Sequence, residues 1–157
     1  MGLSTAVYLI VKSVFNLPVA RFIDKRKGEI DDFITMAIGS VLISINPFFY
    51  VFASKPVHII LLQLAYGIGA ALAMPGWLAI FTRHIDKHVE AQEWGLYNTM
   101  VGLGGALTGA LGGFLAERFG FQPLFIIVGV ICTFGSTFLF LVYQDIRLAD
   151  RRERYKR

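Results

Sequence analysis

A chain of 157 residues that is 55% hydrophobic and 17% charged, with a mean hydropathy of +0.61, is too apolar for one soluble domain of that length. Its net charge of +4 does not point to nucleic acid, because the bases are not interleaved with aromatics on a polar face but gather between apolar stretches. No HExxH, Walker loop, nucleophile elbow or Cys/His cluster is present, so the sequence suggests neither an enzyme nor a metal or cofactor site, and the single Cys132 reads as a small core residue.

Five stretches are long and apolar enough to cross a hydrocarbon core, which takes roughly 20 helical residues. The first, 2–20, carries one charge, Lys12, and no basic segment precedes its apolar run, so it reads as a membrane span rather than a cleaved leader. Lys12 stands nine residues before Arg21. That is about 14 Å at 1.5 Å per residue, near the midplane of a core about 30 Å thick. Thr5, Tyr8, Lys12 and Asn16 recur at helical spacing and give this span one polar stripe. An ionisable group at that depth faces a cavity or a partner, so the stripe is expected to hold an anionic group of a solute or a structural ion pair.

The second span, 33–53, follows Asp31 and Asp32, which can cap it, and contains Asn46-Pro47, where a missing N–H should kink the helix and Asn46 can repair the backbone locally. The third, 57–82, carries Gln63 and Tyr66 as neutral hydrogen-bonding groups and Pro75 as a second kink. The fourth, 94–116, holds Asn98 and a row of Gly105, Gly109 and Gly113 that would let a neighbouring backbone approach closely. Gln63, Tyr66 and Asn98 suit either solute binding or helix-to-helix bonding. The fifth, 119–144, leads into a basic tail, 145–157.

Basic residues alternate along the chain. Arg21, Lys25, Arg26 and Lys27 separate the first two spans, Arg83 and Lys87 the third and fourth, and six Lys or Arg follow the fifth; the other connections hold only Lys55 and Arg118. By the positive-inside rule the basic connections and the tail are cytoplasmic, and the N-terminus is outside. The first span then ends inside at Asp24, Lys25 and Gly28, and the fourth ends outside at Glu117, Arg118 and Gly120. Similar endings on opposite faces are what an inverted-topology repeat requires.

Those endings carry a family resemblance. Residues 113–120, Gly-Phe-Leu-Ala-Glu-Arg-Phe-Gly, resemble the G-x-L-A-D/E-R-x-G pattern of the major facilitator superfamily, and 20–28 is a looser version with Ala20 in the first position and the glycine one residue late. Gly95, Gly104, Thr108, Gly109, Gly112 and Gly113 are similar to the family's fifth-helix glycine pattern, with Thr108-Gly109 where its antiporters have Gly-Pro. Residues 63–71 are similar to R-x-x-Q-G-x-G-A-A, with Gln63 in the arginine position.

The resemblance implies an all-α membrane fold. The five spans would correspond to helices eight to twelve, the C-terminal half of a transporter without the first helix of that half. It further implies a multi-pass protein of the plasma membrane, moving a small solute by alternating access together with an N-terminal half. Lys12, Asn16, Tyr8, Gln63, Tyr66 and Asn98 are then the expected solute-binding residues, and Asp24 with Arg21, Lys25 and Gly28 a latch that caps a helix N-terminus of the other half. The alternative is a helical module that assembles with, or serves, another membrane protein and transports nothing itself.

Overall fold

The computed structural model describes residues 2–26 and 29–155, and places them in five helices: α1 (Gly2–Arg26), α2 (Glu29–Tyr50), α3 (Pro56–His84), α4 (Glu90–Phe119) and α5 (Phe121–Tyr155). Each contains a stretch long and apolar enough to span a membrane. Every helix overruns the span that hydropathy marks at one or both ends, because good helix formers continue the hydrogen-bond ladder past the edge of the apolar run. The extension is longest in α5, which continues through the expected tail as far as Tyr155. Helices α1, α2 and α3 run unbroken through Pro18, Pro47 and Pro75.

Side-chain pairs fix the helix directions. Asp32 near the start of α2 pairs with Arg83 at the end of α3, whereas Phe33 and Tyr143, and Tyr50 and Phe125, match α2 antiparallel to α5. One end of the bundle therefore collects the end of α1, the start of α2, the end of α3 and the start of α4. We call it the basic end. The connection from α4 to α5 lies at the opposite end, so the two similar sequence endings, at Asp24 and at Glu117, sit at opposite ends of the bundle.

Helix α3 is the centre of the packing, and its small residues explain why. Lipid is as apolar as the side chains, so helices in a membrane associate through close contact and hydrogen bonds rather than through expulsion from water. Gly67 and Gly69 are two residues apart, about 200° around a helix at 3.6 residues per turn, and so serve opposite faces. A Cβ at Gly67 would lie 3.0 Å from the Val11 side chain on α1, and one at Gly69 would lie 3.1 Å from the Gly39 carbonyl oxygen on α2. Gly39 faces back: a Cβ there would overlap the backbone of Gly69 and Ala73. Ala70 and Ala71 are buried between these contacts.

Helix α5 lies along α2. The Ser44 hydroxyl shares a hydrogen bond of 2.5 Å with that of Ser136, and lies 3.2 Å from the Cys132 carbonyl. Such bonds between membrane helices contribute about 0.6–2 kcal/mol each. At the basic end, Phe33 and Met36 are buried against Trp77, Ile80 and Tyr143.

Helix α4 is different. No residue of it is buried, and it meets α3 through an aromatic cluster in which Trp94 and Tyr97 pack on Trp77 and Phe81. Gly120 ends it with φ 83°, a left-handed conformation that glycine alone adopts without strain, and its N–H donates to the Ala116 carbonyl at 2.9 Å. This supplies a physical reason for the last glycine of the 113–120 pattern: the chain must turn at once into α5.

Candidate functional site

The polar stripe of α1 meets α3 near the middle of the bundle. Tyr8 and Lys12 are one turn apart, and the Lys12 Nζ lies 5.8 Å from the centre of the Tyr8 ring, within reach of a cation–π interaction. The Tyr8 ring in turn packs on Tyr66 of α3, with centroids 5.3 Å apart. The close approach at Gly67 makes this possible, since a side chain there would push α1 away from α3. Lys12 is half-buried, and its charge is partly faced by the π-electrons of the Tyr8 ring, with no carboxylate ion-paired to it among the described residues. Such a cation remains able to attract an anionic or electron-rich group.

Tyr66 links this group to a second one. Together with Asn46, Tyr50, Gln63 and Phe125 it lines a cavity of about 360 Å³ between α2, α3 and α5. Gln63 of α3 and Tyr50 of α2 thus share its wall. Asn46, 3% exposed, donates from Nδ2 to the Leu62 carbonyl on α3 at 2.9 Å. Asn46 is therefore a tie between helices and not a local repair of the Pro47 break. The reason lies in the packing: α3 brings a carbonyl within reach, and an amide in a dry interior takes the partner that is available.

Of the expected solute-binding residues, the fold thus brings Tyr8, Lys12 and Tyr66 into one group and Gln63 and Tyr66 into another. Asn16 lies one turn beyond Lys12 on α1, half-buried, and Asn98 is exposed on α4, apart from both groups. Arg21, Asp24 and Lys25 are exposed at the basic end of α1; Gly28 lies outside the described residues. Among the described residues the glycine row of α4 meets no neighbour: a Cβ at Gly105, Gly109 or Gly113 would find nothing within 4 Å.

Sequence reasoning missed Asp32. Read as a cap at the water's edge, it is 2% exposed and ion-paired to Arg83 of α3, whose side chain folds back along its own helix so that Nε donates to the Ala79 carbonyl at 3.0 Å. His84 Nε2 lies 4.0 Å from Glu29 on the same seam. The signal was present in the pattern, since an acid opening one span and an arginine closing the next meet whenever those spans pack side by side. Among the described residues no group of three or more His, Cys, Asp or Glu is placed to hold a metal ion.

Five helices long and apolar enough to span a membrane, with α1 and α2 packed closely on the glycines of α3 and a polar group near the middle of the bundle, define a multi-pass helical membrane protein. Residues 1–156 match the Major Facilitator Superfamily, and the chain belongs to that family. It is also 36% identical over 66 residues to the methylenomycin A resistance protein of Bacillus subtilis (strain 168), a match that covers 41% of this chain and 14% of that protein. The chain thus matches a small part of that relative's length. No solved structure matches it.

Proposed function

We propose that this chain is part of a secondary transporter that moves a small solute across the plasma membrane by alternating access, with the mid-depth face of α1 and α3 contributing to the solute site. The observation that carries the reading is the Lys12–Tyr8–Tyr66 group. A cation at that depth is costly unless it is used, and here it stands on an aromatic pair at the contact between two helices. Lys12 attracts an anionic or electron-rich part of the solute, Tyr8 and Tyr66 stack on its flat or apolar part, and Asn16 and Asn98 add neutral hydrogen bonds as the halves close.

The basic end is cytoplasmic, and α5 ends on that side. The exposed glycine face of α4, with Gly105, Gly109 and Gly113, is the packing surface for helices outside this chain. Asp24, flanked by Arg21 and Lys25 and followed by Gly28, caps a helix N-terminus of the companion half when the cytoplasmic side is closed, and releases it when that side opens. The resistance phenotype in the relative's name makes tolerance of a small organic toxicant the first activity to score.

The test is Lys12→Ala in the complete transporter, with uptake or export measured in vesicles against expression level. Transport falls to background while the protein still reaches the membrane, and Lys12→Arg restores part of it. Undiminished transport by Lys12→Ala removes the proposed role.

A further inference from the structure

The surroundings of Lys12 limit how much negative charge it can hold, and so narrow the chemistry of its solute. Tyr8, Lys12, Asn16 and Tyr66 are each half-buried and keep part of their surface open at mid-depth. No other basic residue stands between Gly2 and Ala20, and Arg21 is nine residues on, about 14 Å along the helix. On α3 the nearest basic residues to Tyr66 are His58 and Arg83, about 12 and 25 Å away by the same rise. Among the described residues Lys12 therefore acts without a second cation. No carboxylate competes for it: α3 has none, those of α2 are Glu29, Asp31 and Asp32 at the basic end, and Asp24 of α1 is about 18 Å along the helix.

An anion leaves water for such a place only if the protein replaces the bonds it loses. The backbone offers nothing at this depth, because α1 and α3 are unbroken helices whose N–H groups are spent on their own ladders. The side chains able to donate are Lys12, Asn16, Tyr8 and Tyr66. Together they suit one carboxylate. A second negative charge, as in phosphate, sulfate or a dicarboxylate, finds no partner here in a medium of low dielectric. The remaining surface is aromatic: the Tyr8 and Tyr66 rings have centroids 5.3 Å apart and planes tilted by 43°, an arrangement that leaves ring surface for a third ring to pack on.

We propose that the solute is a flat organic monoanion, an aromatic monocarboxylate, whose carboxylate lies at Lys12 and Asn16 and whose ring packs on Tyr8 and Tyr66. The assignment rests on the transport reading given above and narrows it. Dianions are rejected for want of a second cation, neutral and cationic analogues by the ammonium itself, and aliphatic acids are held less well because they forgo the ring contacts.

The experiment places the complete transporter in phosphatidylcholine vesicles at neutral pH and measures displaceable binding of radiolabelled benzoate against unlabelled competitors. Cyclohexanecarboxylate, which keeps the charge and loses the ring contact, should compete about 2–12-fold less well than benzoate. Benzyl alcohol, which lacks the charge, and phthalate, which doubles it, should each compete at least about tenfold less well, the factor that one charge-assisted hydrogen bond supplies. Lys12→Gln should remove the preference for benzoate over benzyl alcohol. Tyr66→Leu should remove the preference for benzoate over cyclohexanecarboxylate and leave the charge preference intact, a split that a merely structural role would not produce. Should either variant fail to reach the membrane, the order of competitors on the unaltered protein still decides. Phthalate or phosphate competing as well as benzoate, cyclohexanecarboxylate competing equally, or no displaceable benzoate at all would overturn the assignment. Because the readout is the order of bound anions, Lys12-dependent binding of a dianion would remove this solute class and leave the transport reading standing, whereas undiminished transport by Lys12→Ala removes the reading itself.

Discussion

Helices α3 and α4 are written in the same vocabulary and behave differently. Both carry small residues at helical spacing, Gly67 to Ala71 in one and Gly105, Gly109 and Gly113 in the other. In α3 each glycine meets a neighbour: α1 at Gly67 and α2 at Gly69. In α4 the row faces open space along its whole length. The comparison separates two statements that sequence runs together. A glycine row says that a backbone can come close, because no Cβ keeps it away; it does not say whose backbone. In α3 the partners belong to the same chain, and in α4 they are to be sought elsewhere.

The comparison can be broken by filling the glycines. The largest effect is expected for Gly39→Leu, because the first added carbon already overlaps the backbone of Gly69 and Ala73 and neither helix can yield without moving. We expect a loss of about 3 kcal/mol or more, read as early unfolding in a denaturant titration followed by far-ultraviolet circular dichroism. Next comes the seam at the basic end, where the two partners are not equivalent. Arg83→Met leaves the Asp32 carboxylate buried without its counter-charge and should cost about 2–3 kcal/mol. Asp32→Asn leaves Arg83, which is 40% exposed, free to turn to water, and should cost about 1 kcal/mol. Equal losses would mean that the pair is solvated on both sides. The smallest effect in this chain is expected for Gly109→Leu, within about 0.5 kcal/mol, since nothing lies near enough to be displaced. In the complete transporter the same change should abolish assembly or transport. Destabilisation of the lone chain comparable to that of Gly39→Leu would show that α4 already packs inside it.

Much of the fold is legible in the residues themselves, because a membrane simplifies the problem: long apolar stretches become helices, and the Lys and Arg between them alternate. The five spans and their opposing directions follow from that alone. Which residues touch is not legible in the same way. Asn46 beside Pro47 has an obvious local use within α2, and its bond to Leu62 becomes visible only when α3 is placed alongside. Asp32 sits where a solvated cap belongs, and the packing of α3 turns that place into an interior. Tyr8, Lys12 and Asn16 form a stripe in the sequence, but their junction with Tyr66 depends on the approach permitted at Gly67. Gln63 lies with Tyr50 and Tyr66 on the cavity between α2, α3 and α5, a grouping that only the packing of those helices reveals. The end of α5 escapes a reading from charge for a different reason: charge marks the edge of a membrane but does not stop a helix.

The two similar sequence endings, at Asp24 in α1 and at Glu117 in α4, lie at opposite ends of a single bundle, and the membrane orientation of the whole chain depends on that placement. The most direct test is to place single cysteines at Asp24 and at Glu117 in a background where Cys132 is replaced by Ala, and to label intact cells and inside-out vesicles with a membrane-impermeant maleimide. Position 24 should react only in the vesicles and position 117 only in the cells; reaction of both from the same side would contradict the arrangement.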